Sequence, residues 1–163
     1  MAQESSFDVV SEFDHQELVN AVDQTRREIQ TRYDFKGLTA EVGLEKETIT
    51  ILTVADMQLK SIMDVLKSKL HRRGIDLKVL DPQKPEPAAK GNIRQIVTLK
   101  KGIGDEQARE LNKKIRAEHP KVQVRIQGDQ LRVSSKDKDS LQRVIASLRE
   151  MDFPLPLQFT NYR

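Results

Sequence analysis

Two short alternating runs carry the residues best suited to chemistry. In 122–127, Val122, Val124 and Ile126 alternate with Gln123, Arg125 and Gln127; in 130–134, Leu131 and Val133 alternate with Gln130, Arg132 and Ser134. Successive strand side chains point to opposite faces, so burying the apolar set leaves amides, a hydroxyl and two guanidinium groups on the other face. These groups donate hydrogen bonds and carry positive charge, which suits phosphate. The same alternation over 93–100 turns Arg94, Thr98 and Lys100 outward, with Lys101 next in the chain. Two rings beside cations, Phe35 before Lys36 and Phe159 near Arg163, are suited to holding a base and its phosphate, although core packing is the ordinary role of such rings.

Other chemistries find little support. The chain has no Cys, so it offers no thiolate nucleophile, disulfide or cysteine-ligated metal. His15, His71 and His119 stand apart from one another, His119 before Pro120 reads as a helix end, and no serine lies in a G-x-S-x-G context. We therefore expect no catalytic residue, no metal and no cofactor. Lys100-Lys101-Gly102-Ile103-Gly104 precedes a helix but matches neither common phosphate-loop spacing, and Asp105 and Glu106 would repel an anion there. Aromatic residues make up 4% of the chain, and neither 48–53 nor 130–134 contains one, so a base-stacking sheet is not expected.

The 163 residues are 37% hydrophobic and 33% charged with a net charge of +3, enough for one ordinary domain or two small ones. No apolar run approaches membrane-spanning length, and the amino end lacks signal-peptide character, so a cytoplasmic protein without a membrane partner is expected. Charge is uneven: residues 1–89 hold 12 Lys/Arg against 16 Asp/Glu, whereas 90–163 hold 16 against 9.

The elements that must position these residues follow from periodicity. Leu18, Ala21, Val22, Thr25 and Ile29 form a helical stripe, as do Leu59, Ile62, Met63, Leu66 and Leu70; 39–45 and 48–53 alternate as strands between them. Strands near 7–11 and 77–79 complete a βαββαβ order. The second half repeats it, with strands at 93–99, 122–127, 130–134 and 158–161 and helices at 105–117 and 137–150. An offset of 82 residues superposes the apolar patterns, which points to duplication of one unit. We expect an α+β protein of two ferredoxin-like domains with antiparallel sheets: 1–80, a Pro-rich linker at 81–91, and 92–163.

Several motifs together resemble the YajQ family of bacterial nucleotide-binding proteins: FDVVSEFD from Phe7, RYDFKG from Arg32, KKGIGDEQA from Lys100, KVQVRIQGDQLRVSSKDKDSLQRVI from Lys121 and PLQFTNYR from Pro156. The resemblance covers essentially the whole chain. It departs at Ser134-Ser135-Lys136-Asp137-Lys138-Asp139, where the family pattern has Thr-Gly-Lys followed by Arg-Asp-Asp. It implies a non-catalytic protein that binds nucleotide or RNA, as a monomer, through the basic second domain and the interdomain surface. The alternative it implies is a cyclic di-GMP receptor that couples the ligand to a protein partner. It also raises an exchange of opening strands, 7–11 completing the second sheet and 93–99 the first; sequence decides neither arrangement.

Overall fold

The computed structural model describes residues 3–163 and divides into two compact units. The inner unit is Phe13–Lys100; the outer unit runs to Glu12 and resumes at Lys101–Arg163. No helix among the described residues is long and apolar enough to cross a membrane.

The inner unit is built on helices α1 (His15–Thr31) and α2 (Asp56–Arg72), with β2 (Ala40–Glu45) and β3 (Thr48–Thr53) between them. Asp14 starts α1 by accepting from the Gln16 and Glu17 amides, which satisfies donors that the helix itself leaves free. Gly74, at φ +77°, ends the chain's run along α2, where the Ile75 amide reaches back to Leu70 O. The apolar stripes of both helices pack on Val42, Ile49, Ile51, Val97 and Leu99.

The Pro-rich stretch expected to link two domains lies inside this unit. Its residues form β4 (Leu80–Pro82) and β5 (Glu86–Pro87), both paired antiparallel with β6 (Ile93–Leu99). Prolines lack the donor that a central strand needs, but they fit this border of the sheet. The strand anticipated at 77–79 is instead a short 3-10 turn, because Asp76 accepts from the Lys78 amide and curls the chain. The sheet order is β2-β3-β6-β4.

The outer unit repeats this order as β7-β8-β1-β9, with β1 at Ser5–Val10, β7 at Gln123–Gln127, β8 at Gln130–Ser135 and β9 at Gln158–Thr160. Helices α3 (Asp105–Glu118) and α4 (Lys138–Glu150) cover one face. Phe7, Val9, Leu131 and Val133 bury there against Ala108, Leu111, Ile115, Leu141, Val144 and Leu148. Each fully buried large side chain contributes about 1.5–3 kcal/mol. Both units are thus antiparallel α+β structures compatible with ferredoxin-like domains, and in each the strand beside β3 or β8 comes from the other half of the sequence.

Candidate functional site

Strand pairing puts defined rows on the helix-free face of the outer sheet. Arg125 pairs with Arg132, Arg132 with Asp8, and Asp8 with Thr160. One row over, Gln123 pairs with Ser134 and Ser134 with Ser6, whose backbone exchanges two hydrogen bonds with Arg163, 2.9 and 3.0 Å long. On the other side lie Gln127, Gln130, Val10 and Gln158. Directly paired residues share a face, so this face carries three arginines and one carboxylate.

Asp8 is the hinge of the electrostatics. It is 4% exposed, accepts Arg132 Nε at 3.0 Å and accepts Asn161 Nδ2 at 2.9 Å. The Arg132 hydrogen bond is the chief cause that holds its carboxyl below the usual aspartate range, against the opposing effect of burial. Arg125, directly across from Arg132, forms no ion pair among the described residues. Like charges placed opposite one another on a sheet repel, and an anion between them would relieve that. A cleft of about 470 Å³ runs beside edge strand β7, lined by Gln123, Arg125 and, from α3, Arg116.

The family model described as nucleotide-binding protein YajQ-like matches residues 5–163. The chain belongs to the YajQ-like family. It is 55% identical to a nucleotide-binding protein of Synechococcus sp. (strain JA-2-3B'a(2-13)) and 54% identical to one of Chloroflexus aurantiacus (strain ATCC 29366 / DSM 635 / J-10-fl), in each case over 100% of both chains.

Of the residues singled out from sequence, this YajQ-like chain brings Gln123, Arg125, Gln127, Arg132 and Arg163 onto one face. Lys100 belongs to the inner unit and Lys101 to the outer one. Arg94 and Thr98 lie on β6, beside Leu52 and Thr48 of the inner sheet. Phe35 is buried in the inner core, where Arg32 lies 5.5 Å from its ring, and Lys36 is exposed. Phe159 sits on the helix side, edge-on to Phe7 and under Arg149, so neither ring is presented to a base on this face.

The glycine loop is committed internally. Gly102 N donates to Ser11 O at 2.6 Å, Ile103 N to Asp129 O at 2.8 Å, and Gly104 N to Gln107 Oε1 at 3.3 Å. Those amides tie the loop to the residue after β1, to the hairpin tip and to the start of α3. The corner at 134–139 holds a helix cap: Asp137 accepts from the Asp139 amide and from Ser140 Oγ.

Sequence reasoning missed Asp8, Asn161 and Arg116. Asp8 was visible as the outward residue between Phe7 and Val9, but its partner was not, because pairing of β1 with β8 is non-local. Asn161 was expected to lie within the strand at 158–161. It adopts φ +57° instead, and the pairing shifts from Asp8 with Thr160 to Ser6 with Arg163. That extra residue is a bulge, and it turns the Asn161 amide toward Asp8.

Proposed function

We propose that this protein binds nucleotide phosphates, free or within RNA, on the helix-free face of its outer unit, and does so without turning the ligand over. The observation that carries the reading is the direct pairing of Arg125 with Arg132, the first lacking a carboxylate partner among the described residues. Gln123, Gln127, Ser134 and Arg163 surround the pair with further donors to phosphate oxygens. The names of the full-length relatives agree with a nucleotide ligand. Asp8, the one carboxylate among these rows, is already occupied by two donors and held ionised, which makes it a poor general base. Absence of cysteine fits a cytoplasmic setting.

The test is calorimetric titration of a mononucleotide, a short RNA and cyclic di-GMP into wild type and Arg125→Ala across a salt series. Arg125→Ala removes no ion pair, whereas Arg132→Ala would strand the buried Asp8 and is best combined with Asp8→Asn. We expect the Arg125 variant to bind about tenfold more weakly, with a shallower salt dependence because fewer counterions are released. Affinity and salt slope equal to wild type would overturn the reading. Tight saturation by cyclic di-GMP without RNA binding would favour the receptor reading, with its protein partner, over RNA.

A further inference from the structure

The inner unit has a basic feature of its own, on its helix layer. A groove of about 490 Å³ lies along α1 and α2, with Arg27, Glu28 and Thr31 contributed by α1 and Lys69, Arg72 and Arg73 by the end of α2. Its cations are only partly neutralised. Glu28 takes Lys69 at 2.9 Å and Glu17 takes Arg73 at 3.4 Å, while Arg27 and Arg72 are exposed and form no ion pair among the described residues. Lys69 and Arg72 stand in the last turn of α2, where cations complement the helix dipole. That accounts for their type but not for Arg27, which lies before the last turn of α1 and converges on the same groove.

Every lining residue is polar. The groove therefore has no ring on which to stack a base and no apolar side chain to enter a bilayer. We propose that it is a second phosphate-binding site, which takes successive phosphates of an RNA backbone irrespective of base sequence. Arg27 and Arg72 make the direct contacts and carry the uncompensated charge, and Lys69 and Arg73, each held by a glutamate, line the groove with further donors. Contacts of this kind position a strand without reading it.

Fluorescence anisotropy with labelled oligo(U) and oligo(A) tests the site in the full chain. The Arg27→Ala, Arg72→Ala double variant should bind both oligonucleotides about tenfold more weakly and lower the salt slope by about 1.4, since each single-strand phosphate contact contributes about 0.7. Its melting temperature and its mononucleotide affinity should match wild type, and Arg27→Lys, Arg72→Lys should restore most of the binding. Unchanged affinity and slope, or a loss confined to one base sequence, would overturn the proposal. So would loss of binding to phosphatidylserine vesicles with RNA binding intact, which would assign the groove to a membrane. Arg125→Ala separates this site from the outer face: RNA binding that depends on Arg27 and Arg72 but not on Arg125 sinks the outer-face reading alone, and the reverse sinks the groove alone. No RNA binding by wild type sinks the groove and leaves the outer face to be decided by the mononucleotide and cyclic di-GMP titrations.

Discussion

The two sheets have the same strand order and opposite faces. Where the outer sheet sets Arg125, Arg132 and Asp8 in one row, the inner sheet sets Gly43, Thr50 and Ile96. Gly43 and Thr50 are the counterparts of Arg125 and Arg132 at the 82-residue offset of the duplication. Flanking rows differ as sharply: Glu41, Glu45, Asp81 and Glu86 border the inner face, with Arg94 its opposing cation, whereas Gln123, Gln127 and Arg163 border the outer one. A shared fold therefore leaves the outward positions free to diverge, and ligand chemistry follows those positions rather than the topology. The contrast does not come from bulk charge. The outer unit holds 13 Lys/Arg against 12 Asp/Glu and the inner 15 against 13, so placement alone makes one face basic.

Removal of 157–163 should break the comparison most severely. It deletes β9, its pairing with β1, and the Leu157 and Phe159 side chains packed on the outer core. Because both side chains are only partly buried, we expect a loss of about 2 kcal/mol from buried area, read as a melting transition that separates from that of the inner unit. A truncated chain that melts as one transition at the wild-type temperature would make this segment a tail.

Gly102→Ala comes next. The residue sits at φ +82°, and an added Cβ would meet Asp129 Oδ2 at 2.6 Å and Asp129 Cβ at 3.0 Å. The conformation alone costs about 1–2 kcal/mol for a non-glycine residue, so denaturant unfolding should report a loss of at least that size. A transplant then sharpens the comparison directly. In an Arg125→Ala background, which binds about tenfold more weakly, Gly43→Arg with Thr50→Arg should restore phosphate affinity to about the wild-type level; a transplant no tighter than Arg125→Ala alone would show that Asp8, absent at Ile96, is needed to hold the pair.

Acid should act on the outer sheet through Asp8. Because its folded pKa is depressed, Asp8 contributes stability that is complete above its unfolded value, about 3.9, and is lost as pH falls through the lower folded one. Melting temperature measured from pH 5 down to pH 2 should therefore fall less steeply in Asp8→Asn than in wild type. Parallel curves would remove Asp8 from the account. The smallest effect belongs to the hairpin turns, where Lys46 at φ +54° occupies the position that Gly128 holds at φ +61°. Lys46→Gly should stabilise by about 0.5 kcal/mol, the strain relieved exceeding the added chain entropy, and Gly128→Ala should destabilise by about 1 kcal/mol.

Local alternation was enough to place Gln123, Arg125, Gln127 and Arg132 on one face, because β7 and β8 form a hairpin whose register the Gly128-Asp129 turn fixes. Helix stripes were equally legible, although Asp137, read into the helix at 137–150, is its cap. Pairings that span the chain were not. Nothing in the local pattern of Phe7–Val10 distinguishes β8 from β3 as its neighbour, and with that choice open the acidic Glu4, Asp8 and Glu12 and the basic Lys90, Arg94 and Lys100 were counted with the wrong unit. The charge asymmetry of the two sequence halves disappears once they move. Phe35 and Phe159 failed as candidate stacking rings for a related reason: a ring beside a cation in sequence says nothing about which layer the ring enters, and both entered cores or their margins.

Amide shift mapping by NMR during titration with a mononucleotide tests the central claim most directly. The account predicts changes along β7 and β8, at Ser6 and Asp8 of β1 and at Thr160–Arg163, with 41–52 and 94–98 of the inner sheet unmoved. Changes concentrated on the inner sheet, or none on the outer face at saturating ligand, would contradict it.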